Sequence, residues 1–193
     1  MSADPARTPV DAAKAAARVA ALARRAEAHR SRGPDMTGRL AELLAGYRGV
    51  PLAGYMPIRS EIDPRPVMAD AAAHGPVGVP VITGKAQPLR FALWDPDTEM
   101  TTGPFGARVP ARPQWMVPEI LIVPLVAFTA TGARLGYGGG FYDRTLAELR
   151  ACGPVLAIGF AYAAQQTDAL PDDPFDAPLD LIVTEDAVLS PTG

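Results

Sequence analysis

ILIVPLVAFTATGARLGYGGGFYD, residues 120–143, is the stretch whose reading decides how this chain folds. Its first five residues, Ile120 to Pro124, are apolar without alternation, the pattern of a strand buried on both faces. A short polar turn follows, then Gly136, Gly138, Gly139 and Gly140, and then Phe141 opens a helical stretch that runs to Arg150. Strand, glycine loop and helix in that order form one unit of an α/β sheet, with the loop at the strand's C-terminal end.

Working outward, the same alternation repeats. Residues 50–56 (VPLAGYM), 76–83 (PVGVPVIT) and 89–94 read as strands upstream, and 155–160 and 179–184 (LDLIVT) read as strands downstream. Helices are expected over 11–31, with Asp11 as a cap and Gly33-Pro34 as the stop, over 37–47, and over 63–74 behind Pro64 or Pro66. Residues 95–118 read as irregular. The pattern predicts an α/β fold of three layers, a largely parallel sheet with helices on both faces. With 193 residues, 48% apolar and 20% charged, the whole of 1–193 is expected to form one domain. The first thirty residues are mostly alanine and arginine, so the helix over 11–31 reads as a lead-in outside the core.

A net charge of −3 offers no broad basic field, which argues against nucleic acid as a partner. No run approaches eighteen apolar residues, and Asp4, Arg7, Asp11, Lys14 and Arg18 interrupt the start of the chain, so neither a membrane span nor a signal segment is expected and the location is read as cytoplasmic. Cys152 is alone and can form neither an internal disulfide nor a cysteine-based zinc cluster; it reads as a bystander thiol. The 21 prolines and 18 glycines have no period, which indicates tight turns and not a repeat array.

Chemistry concentrates in the glycine run. Glycines let backbone N–H groups approach an anion, and the helix behind them offers unsatisfied first-turn donors, so phosphate is the natural guest. The spacing is neither GxxxxGK[ST] nor GxGxxG, and a flexible turn would show the same glycines. Arg134 can grip phosphoryl oxygens with two donors, and Asp143 is a hard oxygen ligand suited to magnesium; the competing reading for that pair is a charged helix start with a capping Asp. Lys14 and Arg18 stand four apart, on one helix face, although Arg24, Arg25 and Arg30 continue the basic run as a solvated face would.

Residues 123–146, VPLVAFTATGARLGYGGGFYDRTL, resemble the signature of the 5-formyltetrahydrofolate cyclo-ligase family, with Pro124, Phe128, Gly132, Arg134, Leu135, Gly136, Gly138, Gly140, Phe141, Tyr142 and Asp143 on its pattern. The resemblance implies the architecture of sugar-phosphate isomerases and CoA transferases, and an ATP- and Mg2+-dependent closure of 5-formyltetrahydrofolate to 5,10-methenyltetrahydrofolate. It implies that Arg134 and Tyr142 are catalytic. Lys14, Arg18, Arg134, Gly136, Tyr137, Gly138, Gly139, Gly140 and Phe141 would hold ATP. Folate would meet Met56, Glu61 and residues 137–141, and Mg2+ would bind Asp143 and Asp176. Capping by Glu61 or Asp63 is the competing use of the acidic residues near 61.

Two stretches depart from the family's pattern: Phe175 stands where it carries His, and 108–112 (RVPAR) replace its Gly-Ile-Pro-Glu-Pro. Trp94, Phe105 and Trp115 are candidates for stacking on the folate rings, with core packing as the alternative. The acidic residues Asp168, Asp172 and Asp173 read as ligands or as solvated surface. A monomer is expected. A non-catalytic paralogue that binds a phosphate-bearing metabolite, or an isomerase or CoA-transferase type of enzyme, are the alternatives.

Overall fold

The computed structural model describes residues 9–171 and 177–191, with side chains from residue 13 onward. In chain order come α1 (Pro9–Ser31), α2 (Gly38–Leu44), β1 (Leu52–Ala53), α3 (Arg65–Ala72), β2 (Val77–Val81) and β3 (Arg90–Leu93). Then follow β4 (Met100–Thr102), β5 (Arg108–Pro110), β6 (Trp115–Met116), β7 (Ile120–Pro124), β8 (Ala127–Phe128) and β9 (Arg134–Leu135). The chain closes with α4 (Phe141–Cys152), β10 (Leu156–Phe160), β11 (Leu181–Val183) and β12 (Val188–Leu189).

Eight strands make one sheet in the order β12-β11-β10-β7-β1-β2-β3-β6. The five central strands, β11 to β2, are parallel, and antiparallel β12, β3 and β6 finish the two edges. The apolar run of β7 sits in the middle because both of its faces are covered. Ile120 and Ile122 pack with Leu40 and Leu44 of α2 and Val67 and Met68 of α3. Leu121 and Val123 point the other way, to Leu146 of α4, Ala157 and Ile182. Leu121 is fully buried, and trimming it to Ala would cost about 2–5 kcal/mol.

Three expectations need correction. First, α1 is not a lead-in outside the core. Ala21 packs on Val126, Ala127 and Leu135, and Lys14 and Arg25 are buried along the same stripe, at i, i+7 and i+11. The helix is described from Pro9, so Asp11 lies within it and does not cap its start. Second, residues 95–118 are not irregular: β4 and β5 pair as a hairpin, and β6 pairs with β3. These strands are two or three residues long and half of their residues are exposed, which leaves no apolar periodicity to read. Third, the turn after β7 is itself a β8–β9 hairpin.

The topology then places the site. From β1 the chain moves to β2 and β3 on one side, and later returns through β7 to the other side of β1. The strand order therefore reverses between β1 and β7, and the loops leaving their carboxyl ends diverge around a crevice where open α/β sheets take ligands. Those loops carry Glu61 and the glycine run.

Candidate active site

Glu61 ends the loop after β1, and its carboxylate is held from both sides. Oε2 accepts the Ile58 N–H at 2.8 Å, and Oε1 accepts the Tyr137 hydroxyl at 2.9 Å, from the loop after β7 and 76 residues away. It therefore caps no helix; Asp63 takes the cap-like contact, accepting the Arg65 N–H at 2.9 Å. Tyr55 steadies the same loop by donating to the Ile62 carbonyl at 2.8 Å. Burial pushes the Glu61 carboxyl above its ordinary value, while the Ile58 N–H, the Tyr137 hydroxyl and the Arg25 charge oppose that rise.

The three tyrosines around it shift upward. Tyr137 is pushed up to about 12, by burial first and then by the Glu61 charge. Burial, with the same charge second, raises Tyr55 and Tyr142 as well. Tyr142 is therefore a neutral hydroxyl in the working pH range, a donor and not a base.

Helix α1 lays its cations against the glycine loop. Arg18 Nε donates to the Gly136 carbonyl at 2.9 Å, and a Cβ on Gly138 would come within 3.2 Å of the Arg18 guanidinium carbon. Lys14, one turn earlier, is buried. Gly138 and Gly140 have φ of 91° and 61°, the left-handed region that favours glycine. Gly140 is the N-cap of the twelve-residue α4 and brings no side-chain cap, so the first-turn donors lack a side-chain acceptor from the cap position. Arg144 closes the loop from α4, donating to the Gly139 carbonyl at 2.7 Å.

Arg134, buried in β9, forms an ion pair with Asp143, whose Oδ1 also accepts the Ala177 N–H at 3.2 Å. Asp143 thus joins the loop to the segment before β11 and does not cap α4. As to magnesium, Asp143 is one half-buried carboxylate, and among the described residues no group of three or more His, Cys, Asp or Glu gathers to hold a metal. That donor set fits a cation carried mainly by phosphate oxygens and water with one or two protein carboxylates, as Mg2+ prefers.

Of the residues singled out by sequence, Arg18, Glu61, Arg134, Tyr137, Gly136 to Phe141 and Asp143 lie on the two loops or directly against them. Met56 is packed into the core beside Tyr55 and Ile62. Asp176, Phe175, Asp172 and Asp173 lie outside the described residues, and Asp168 is exposed. Trp94 does not reach the crevice. It lines a concavity of about 330 Å³ with Arg112 and Gln114 beside Val77, at the opposite ends of the strands. Trp115 lies under Arg90 on the edge strand at 4.2 Å, and Phe105 stands 77% exposed at the β4–β5 tip.

Two residues escaped the sequence reading. Arg144 lies in the quoted motif and was given no role. Arg25 reads in sequence as part of a solvated run, as Arg24 and Arg30 are, yet it is fully buried, with Nε donating to Ser60 Oγ at 3.1 Å and its guanidinium 5.4 Å from the centre of the Tyr137 ring. Its register with Lys14 and Ala21 was the available signal.

Comparison with known proteins gives concordant matches. The model of the 5-formyltetrahydrofolate cyclo-ligase family matches residues 10–185. A 5-formyltetrahydrofolate cyclo-ligase of Haemophilus influenzae is 43% identical over 101 residues, 49% of this chain and 54% of that protein. The chain thus spans about half the length of that curated relative. The solved structure of Aquifex aeolicus 5,10-methenyltetrahydrofolate synthetase superposes with a TM-score of 0.73 at 26% identity, covering 93% of each chain. The Mycoplasma pneumoniae 5,10-methenyltetrahydrofolate synthetase shares the fold, with a TM-score of 0.62 at 23% identity over 89% of this chain and 98% of its own.

Proposed function

The chain belongs to the 5-formyltetrahydrofolate cyclo-ligase family, and from that premise we propose that it closes 5-formyltetrahydrofolate to 5,10-methenyltetrahydrofolate while ATP becomes ADP and phosphate. The observation that carries the reading is the convergence at one switch point of a glycine loop, the cations Arg18 and Arg134 against it, and a buried carboxylate, Glu61, tied to it through Tyr137.

A formyl group on N5 is a poor electrophile with a poor leaving group, and phosphorylation corrects both. The formyl oxygen attacks the γ-phosphorus, the bond from phosphorus to the bridging oxygen breaks, and ADP leaves. N10 then attacks the activated carbon and loses its proton, and phosphate departs with the former formyl oxygen. Neither step needs a protein nucleophile, so the protein's work is positioning and charge stabilisation.

The roles we assign are these. Lys14, Arg18 and Arg134 offset charge on the transferred group, and the N–H groups of 137–141 with the uncapped start of α4 hold phosphate oxygens. Tyr142 serves as a neutral hydroxyl donor. Glu61 accepts the amino and ring N–H donors of the pterin. Mg2+ neutralises phosphate charge when bound, and Asp143, with Asp176, would hold it. The pocket must exclude water, because hydrolysis of ATP is the competing reaction.

The test is the near-ultraviolet absorbance of the methenyl product, with ATP and magnesium supplied together and withheld in turn. Product that forms only with both present supports the reading. A folded protein that forms none under any condition overturns it.

A further inference from the structure

Arg25 has no part in the scheme above, yet its burial demands one. Its side chain is 1% exposed, its Nε is held by Ser60, its Nη1 and Nη2 lie outside ordinary hydrogen-bond geometry, and its charge also acts on the Tyr137 hydroxyl. A guanidinium so placed is costly unless an opposite charge lies close. Glu61, 4% exposed, supplies it, with Oε1 at 3.9 Å from Nη1. That distance is beyond a hydrogen bond, so the coupling acts through the field, at short range and with little water to screen it.

The Ile58 N–H and the Tyr137 hydroxyl also favour the carboxylate, each by a hydrogen bond and each more than Arg25 does, but both are neutral donors and neither offsets the buried charge itself. Tyr55 from the β1 loop, Tyr137 from the glycine loop and Tyr142 from α4 are neutral, and their shifts all run toward the protonated form. Arg59, the other cation acting on Glu61, is exposed on the same loop and screened by solvent.

We infer that Arg25 is a positioning residue whose buried guanidinium keeps Glu61 ionised and in place, so that Glu61 can accept hydrogen bonds from the donor edge of the pterin ring. The ligand half of this rests on the folate reading; the charge coupling between Arg25 and Glu61 does not. A protonated Glu61 would present a donor to a donor edge, so the carboxylate is the form that selects this ring. Helix α1 then serves both substrates, with Arg18 on the glycine loop and Arg25 two turns further on behind the Glu61 carboxylate.

The experiment has two readouts over one pH series: the Glu61 carboxyl carbon by NMR in ligand-free protein, and the affinity for 5-formyltetrahydrofolate by calorimetry. Arg25→Gln should raise the Glu61 midpoint by a unit or more. Below the wild-type midpoint, folate affinity should fall about tenfold per unit of that shift, and between the two midpoints by less. Arg25→Lys, which keeps the charge, should leave both curves within about half a unit of wild type. An unmoved midpoint in Arg25→Gln overturns the inference, as does a moved midpoint with an unmoved folate profile. If Arg25→Gln does not fold, Arg25→Lys decides, and a midpoint displaced by a unit or more overturns it. A wild-type protein that binds no folate at any pH overturns the folate reading while leaving the NMR test of the coupling intact.

Discussion

Arg134 and Asp143 pair with each other across nine residues, so the side chain assigned to phosphate and the side chain assigned to magnesium meet as opposite charges. In the proposed reaction, ATP with its cation would supply an anion for the first and a cation for the second, replacing this internal pair with two external ones. Arg134→Ala removes a donor needed most when charge develops on the transferred phosphoryl group, and kcat should fall by about 10²-fold or more. Asp143→Ala should instead abolish magnesium-dependent turnover. Initial rates against ATP and against magnesium separate the two; full activity in Arg134→Ala removes its assignment.

Gly138 is one of two glycines in this loop held in the left-handed region. Its φ of 91° disfavours a side chain, and an added Cβ would press on the Arg18 guanidinium at 3.2 Å. Gly138→Ala should cost about 1–2 kcal/mol of local strain and push Arg18 from the loop. The expected result is ATP affinity weakened by about tenfold, with the thermal midpoint lowered by only a few degrees. Unchanged affinity would mean that the loop reshapes freely and that Arg18 does not depend on its present form.

The parallel strands and α4 were legible in sequence because burial on both faces leaves continuous apolar runs, Ile120 to Pro124 above all. The glycine loop was legible because glycine at Gly138 and Gly140 answers a backbone demand. The β4–β5 hairpin was not, since its short, half-exposed strands carry no pattern. Arg25 was missed for a different reason. Composition treats a run of arginines as solvated, and only the tertiary contact with Glu61 and Tyr137 turns one of them inward. Pairing across 76 residues, as between Glu61 and Tyr137, has no local signature at all.

His29, at the end of α1, shares a hydrogen bond with the Tyr162 hydroxyl at 3.0 Å. Burial first, then the Arg32 and Arg25 charges, lower its pKa from the ordinary 6.5. In the window between that lowered value and 6.5 the unfolded chain binds more protons than the folded one, so stability rises with pH there. The contribution is complete above about pH 6.5 and is lost as pH falls through the folded value. Thermal midpoints of wild type and His29→Gln across that range should show a steeper acid-side slope in wild type. Parallel curves would show that His29 titrates alike in both states.

Gln165 is fully buried, and its amide ties the exit of β7 to the turn after β10. Nε2 donates to the carbonyls of Leu125 at 2.6 Å and Val126 at 3.1 Å, while Oε1 accepts the Tyr162 N–H at 2.9 Å. Leu125 and Val126 lead directly into the β8–β9 hairpin, and through it into the glycine loop, so this one side chain helps set where that loop leaves the sheet. Gln165→Leu keeps much of the volume and removes all three bonds. At about 1–3 kcal/mol for each buried group deprived of its partner, the loss should be about 3 kcal/mol or more, read from urea unfolding with an unchanged slope. Because the loop's anchor is lost along with the stability, ATP affinity should also weaken at temperatures where the variant remains folded. A stability loss without any change in ATP affinity would place the anchoring of the loop in α1 and Arg18 instead.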